Sequence, residues 1–165
     1  MELLIVRHAI AFERNARRWP EDGERPLSPR GVQRARQAAA GLKHLTDRPL
    51  RVLTSPLLRA RQTAEILARC AGWPAAAPCA LLAPDGSPER LLALLAGLRG
   101  ARIAVVGHEP DLGRLLAACL PGEPGAAAFR LKKMSAALVK FPAHARAARG
   151  TLAWLAPPRL LRAAV

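Results

Sequence analysis

The sequence has no tyrosine, three tryptophans, three phenylalanines and three cysteines in 165 residues. So few rings argue against a reader of single-stranded nucleic acid, which stacks bases on aromatic side chains beside its positive charge. Cys70, Cys79 and Cys119 are odd in number and share no CxxC spacing. They suggest neither a disulfide framework nor a zinc site, and each reads as a small buried residue. Apolar runs are also short, because Pro, Gly or Arg interrupts each one well before the length of a membrane span. The first run, Leu3 to Val6, is too brief for a signal peptide and has no basic segment before it. A soluble protein in a reducing, cytoplasmic setting is the resulting expectation. Neither a repeat of solenoid length nor a long Gly/Ser tract is visible.

Acidic residues are scarce as well: 12 Asp and Glu face 26 Lys and Arg, a formal charge of +14. A field of that sign attracts phosphate-bearing partners, whether metabolites, acidic proteins or nucleic acid. What the chain does have is apolar content, 51% of its residues. That rules out an intrinsically disordered chain, and the length suits one domain over residues 1–165.

Leu3 to Val6 reads as a strand buried on both faces. A polar connection from Phe12 to Leu27 follows, long enough to be functional. Ser28-Pro29 marks a helix start, with Ser as N-cap and Pro in the first turn, and Val32, Ala35, Ala39 and Leu42 follow at helical spacing. Arg51 to Thr54 reads as a second strand. Ser55-Pro56 then repeats the start signal for a helix running to about Ala71, where Gly72 and Pro74 end it. Ser87-Pro88 opens a Leu-rich helix to about Leu98. Arg102 to Val106 is a strand, and a helix from about Pro110 to Leu120 follows. Ala136 to Phe141 and Leu152 to Leu155 read as late strands.

Strands alternating with helices imply an α/β fold, a three-layer α/β/α sandwich around a mostly parallel sheet. Ligands of such sheets bind beyond the carboxyl ends of the strands. That rule selects Arg7-His8, Ser55 through Arg59, and Gly107-His108.

A neutral imidazole at His8 is a competent nucleophile toward phosphorus, and the Arg7 charge disfavours its imidazolium form. Arg7 itself can grip a phosphoryl group. A surface Arg-His pair fits the same pattern. On a helical wheel Arg61, Gln62, Glu65 and Arg69 gather on a polar face, whereas Arg59 falls among Ala60, Thr63, Ala64, Ile66, Leu67 and Cys70. A buried cation needs an anionic partner. A bound phosphate at the helix start suits it better than a structural carboxylate, which remains an alternative. His108 reads either as a capping or core histidine, or as a donor to phosphoryl oxygens. Two arginines aimed at one place make a cation site improbable.

The segments Leu4 to Ala9, Ser55 to Ala64 and Val106 to Pro110 together resemble the three blocks of the histidine phosphatase superfamily, the phosphoglycerate-mutase-like enzymes. Arg25 to Gly31 resembles its SixA branch of phosphohistidine phosphatases. The resemblance covers residues 2 to about 123, and the tail from Pro124 adds little. It implies a single domain of that family with a phosphoglycerate-mutase-like fold. It implies that His8 is phosphorylated, that Arg7, Arg59 and His108 form the phosphate pocket, and that Arg25 contacts substrate. It also implies no metal and no cofactor. Ala9 departs from the family's Gly, which narrows backbone freedom beside the nucleophile.

No motif supplies a carboxylic general acid, for which Asp85, Glu89 and Glu109 are the candidates. That lack favours a nitrogen leaving group, since imidazole departs with less proton assistance than a sugar hydroxyl. The expected activity is metal-independent removal of phosphate from phosphohistidine on a signalling protein. A phosphatase for small phosphate esters is the first alternative. A nucleic-acid or polyphosphate binder with a vestigial site is the second. A monomer is the expected assembly.

Overall fold

The structure, a computed structural model, describes residues 1–98, 101–122 and 129–164. Its strands are β1 (Glu2–Arg7), β2 (Arg51–Thr54), β3 (Ala76–Pro78), β4 (Arg102–Gly107), β5 (Ala136–Lys140) and β6 (Thr151–Ala156). Its helices are α1 (Pro29–Leu45), α2 (Leu58–Ala71), α3 (Pro88–Gly97), α4 (Asp111–Cys119) and α5 (Pro158–Ala163).

The six strands form one sheet in the order β3-β2-β4-β1-β5-β6. The first four of these are mutually parallel, β5 runs antiparallel to β1, and β6 antiparallel to β5. Successive residues of a strand face opposite sides, so the apolar run of β1 divides between two cores. Leu4 and Val6 pack with Ala35, Ala39 and Leu42 of α1, Ala64 and Leu67 of α2, and Leu161 of α5. Leu3 and Ile5 pack with Leu91 and Leu95 of α3 and Leu112, Leu115 and Leu116 of α4. This is the expected three-layer sandwich of the phosphoglycerate-mutase-like fold. Each fully buried Leu or Ile contributes about 1.5–3 kcal/mol relative to exposure.

Local chemistry sets the element ends. Ser28 caps α1 by accepting from Gly31 N–H at 3.0 Å, a contact of about 1 kcal/mol. Ser87 does the same for α3, accepting from Arg90 N–H at 3.2 Å. Gly72 ends α2 at φ 71°, a left-handed conformation that favours glycine. Gly31 also lies so close to the Ile10 carbonyl that a side chain there would collide with it. That approach draws α1 against the segment leaving β1.

Two expectations need correction, and two elements were not anticipated. Ser55-Pro56 does not start α2: its N-cap is Leu57, with no side-chain cap, and the Ser55 hydroxyl meets the Leu57 N–H and His108. The tail carries β5 and β6 where the late strands are expected, and adds α5, which has no counterpart in the sequence reading. Cys79 and Cys119 are buried as expected, but Cys70 is half-buried. The short edge strand β3 was also unforeseen, because Ala-Ala-Pro carries no strand signature. Among the described residues no helix is long and apolar enough to cross a membrane.

Candidate active site

The parallel register brings the chosen sequence points together. Arg7 pairs with Gly107 and Thr54 with Val106, so β1, β2 and β4 finish side by side. The ladder continues one residue further, with His8 N–H donating to Gly107 C=O at 3.0 Å and Ser55 N–H to Val106 C=O at 2.9 Å. His8, Ser55 and His108 therefore stand along one sheet edge. The rings of His8 and His108 lie 5.0 Å apart between centroids. All are buried: His8 is 6% exposed, Arg59 4%, His108 3% and Ser55 0%.

The two imidazoles have different hydrogen-bond partners. His8 Nδ1 lies 2.7 Å from the Ala9 carbonyl, which can only accept, so Nδ1 carries the proton and Nε2 keeps its lone pair. His108 Nε2 lies 2.8 Å from Ser55 Oγ. Ser55 Oγ accepts from Leu57 N–H at 3.3 Å, and His108 Nε2 is the acceptor in reach of its hydroxyl proton among the described residues. That proton is therefore donated to Nε2, and His108 presents a protonated Nδ1, buried and without a partner.

Burial, first of all, pushes the His8 pKa down to about 3; the neighbouring His108, Arg59 and Arg7 add to this, and the Ala9 carbonyl opposes it. Arg7 thus acts in the expected direction but is not the main cause. Burial likewise lowers His108 to about 4, helped by Arg59, Arg7 and Arg25 and opposed by Asp22. Both rings are neutral near pH 7.

Arg7 Nη1 donates to the Leu131 carbonyl at 2.7 Å, while its Nε is buried without a partner. Arg59 lies on the buried face of α2, as the wheel places it. Its Nη1 donates to the Asp22 carbonyl at 2.9 Å and meets the Asp22 carboxylate at 3.3 Å, while its Nε is buried and unpartnered. Asp22, a carboxylate of the polar connection, is thus one anionic partner of Arg59. The guanidinium is only partly satisfied by it.

Asp22, which sequence reasoning missed, also receives Arg25 Nε at 2.8 Å and Arg14 Nε at 3.3 Å. The Arg25 hydrogen bond is the main reason its pKa falls to about 2, with the charges of Arg25, Arg59 and Arg14 adding to it. Arg25 also donates from Nη2 to Asp22 and, at 2.6 Å, from Nη1 to the Phe12 carbonyl. It braces the connection beside the site. Arg18 further compacts this segment by lying over the rings of Phe12 and Trp19.

Backbone contacts hold the segment that follows His8. Ala9 N–H donates to Thr63 Oγ1 at 3.0 Å, and Thr63 donates to the Arg59 carbonyl at 2.7 Å. Ala9 has no positive φ, so a Cβ is accommodated where the family has Gly. Met134 does adopt φ 65°, and its N–H reaches the carbonyls of both Arg7 and His8. The segment from Leu131 to Met134 therefore forms a wall of the site.

Of the acid candidates, Glu89 accepts from Ser87 Oγ and is exposed, and Asp85 is exposed in a loop. Glu109 lines a groove of about 520 Å³ with Arg7, Arg130 and Lys132. Burial raises its pKa, against the Leu131 N–H and Arg7, and its Oε1 accepts that N–H at 2.8 Å. The described residues hold no cluster of three or more His, Cys, Asp or Glu arranged for a metal ion. What remains is a neutral nucleophilic nitrogen surrounded by cationic and neutral N–H donors, an arrangement suited to phosphoryl transfer.

Residues 3–79 match the histidine phosphatase superfamily, branch 1. The phosphohistidine phosphatase SixA of Escherichia coli (strain K12) is 35% identical over 127 residues, covering 74% of this chain and 76% of that protein. An uncharacterized protein of Picosynechococcus sp. is 43% identical over 128 residues, covering 76% of each chain. The structure of the protein histidine phosphatase SixA complexed with tungstate aligns over 98% of this chain and 99% of that one. Its TM-score is 0.85 and its sequence identity 32%. The chain belongs to the histidine phosphatase superfamily, a class of phosphatases. Within that superfamily it is of the SixA type.

Proposed function

We propose that this chain is a metal-independent phosphatase acting on phosphohistidine carried by a protein, with His8 as nucleophile and Arg7, Arg59 and His108 as the phosphate pocket. The observation that carries the reading is the set of buried polar atoms without partners. Among the described residues they are Arg7 Nε, Arg59 Nε and His108 Nδ1, on three residues whose charges or rings bear on His8. An unsatisfied buried donor costs about 1–3 kcal/mol, and transferring phosphoryl oxygens are acceptors that would remove that cost.

His8 Nε2 attacks phosphorus in line while the bond to the substrate nitrogen breaks. The substrate ring, protonated on its other nitrogen, leaves as neutral imidazole. His8 retains its Nδ1–H on the Ala9 carbonyl throughout. Water then attacks the phosphorylated His8, inorganic phosphate takes up the water's proton, and the ring departs neutral. No carboxylic acid is needed in either step.

Asp22 cannot serve as an acid, since its arginines keep it ionised. Glu109 would be the proton donor if small phosphate esters were the substrates, because it is half-buried beside Arg7. The test is a comparison of kcat/KM for a phosphohistidine protein and a panel of phosphate esters. We expect the phosphohistidine protein to exceed every ester by about tenfold or more, a barrier difference of about 1.4 kcal/mol. A higher value for an ester would overturn the assignment.

A further inference from the structure

The cations around the site fall into two groups, one paired with a carboxylate and one not. Arg14, Arg25 and Arg59 converge on Asp22. Arg130, Lys132 and Lys133 belong to the segment that leads into β5. Arg34 of α1 and Arg159 and Arg162 of α5 border the same segment across a groove of about 130 Å³. None of these six has a carboxylate within ion-pair distance among the described residues.

Two observations tie this patch to the site. Lys132 lines both the small groove and the larger one that contains Arg7 and Glu109. The small groove also includes Ala9 and Ile10, which directly follow the nucleophile. Partial burial, and then Arg7, Arg25 and Arg59, hold the Lys133 ammonium below the usual lysine range, with Glu13 opposing. Lys133 thus stands within electrostatic reach of Arg7, Arg25 and Arg59.

We infer that this strip, from Arg130 and Lys132 across to Arg34, Arg159 and Arg162, is the docking surface for an acidic face of the protein that carries the phosphohistidine. The inference rests on the function proposed above. His8 is buried, so a phosphoryl group on a protein side chain must be inserted past the rim, which brings the carrier's surface against the strip. Uncompensated cations attract carboxylates there and raise the rate of encounter, an effect that salt screens. The small groove contains no aromatic side chain, so it has no platform on which a nucleobase would stack.

The experiment compares the wild type with an Arg34→Glu/Arg159→Glu/Arg162→Glu variant, three positions outside the phosphate pocket. One substrate is an acidic phosphotransfer domain phosphorylated on its histidine; the other is phosphoramidate. We expect kcat/KM on the domain to fall about tenfold or more. Phosphoramidate turnover should stay within about twofold, which also reports a folded enzyme. Added salt should bring the wild type down toward the variant. Full turnover of the domain by the variant, or an equal loss on both substrates by it and by an Arg→Gln triple variant, overturns the inference. If the wild type instead prefers esters, the phosphohistidine reading fails. Binding of the unphosphorylated domain to wild type and variant still decides the docking surface: equal affinities overturn it, and a tenfold weaker variant supports it.

Discussion

His8 and His108 end adjacent parallel strands, are nearly equally buried and sit 5.0 Å apart, yet their hydrogen bonds run in opposite senses. His8 donates from Nδ1 to a carbonyl and keeps Nε2 as a lone pair. His108 accepts at Nε2 from Ser55 and keeps Nδ1 as a donor. The partner of the other ring nitrogen, more than burial or pKa, separates the two roles proposed for these rings, nucleophile and stabiliser of developing charge. Both rings are neutral for the same reason, so charge alone cannot distinguish them.

The sharpest way to break the comparison is to remove each ring. His8→Ala should lower kcat by at least about a thousandfold, measured under saturating substrate. His108→Ala removes one donor to the transferring group and should cost about a hundredfold to a thousandfold in kcat with a smaller change in KM. Equal losses in KM and kcat for the two variants would contradict their separate roles. Arg59→Ala should weaken vanadate or phosphate binding by about tenfold to a hundredfold, read by competitive inhibition, since it removes a charged hydrogen-bonding partner.

A smaller effect tests the wiring itself. Ser55→Ala should lower kcat by about tenfold and release the His108 tautomer, seen by nitrogen NMR as protonation shifting from Nδ1 to Nε2. Ser55→Thr, which keeps the hydroxyl, should restore the Nδ1–H form. An unchanged tautomer in Ser55→Ala would remove Ser55 as its positioning residue.

Acid should expose the shared neutrality of the rings. An unfolded histidine takes up its proton near pH 6.5, whereas His8 and His108 resist protonation down to about 3 and about 4. The unfolded state therefore binds more protons as pH falls below about 6.5, and stability present above that value is lost progressively toward the folded pKa values. Asp22 adds a second loss as pH falls from the usual carboxylate range toward about 2. Melting temperature should decline on acidification, and less steeply in His8→Asn. A decline of the same slope in that variant would show that His8 contributes nothing to it.

The strand ends were legible because period and turn signals are local. The apolar run of β1, the Ser28 and Ser87 caps and the Gly72 stop each act within a few residues. Arg59 was legible too, since its helical phase fixes its face whatever lies opposite. Asp22 was not, because its pairing with Arg59 spans 37 positions and no local pattern encodes it. Ser55 was misread for a related reason: Ser-Pro is a true start signal at Ser28, but at the end of β2 the hydroxyl has His108 within 2.8 Å. The wall formed by Leu131 to Met134 depends on strand pairing between β1 and β5, which local sequence does not specify.

The most direct test of the central claim is to trap the phosphorylated enzyme and locate the phosphate on the ring. Rapid quenching at alkaline pH, followed by mass spectrometry and phosphorus NMR, would identify both residue and nitrogen. The account predicts phosphate on His8 at Nε2, because Nδ1 is held by the Ala9 carbonyl. Phosphate on His8 Nδ1, on His108, or on Ser55 would contradict it.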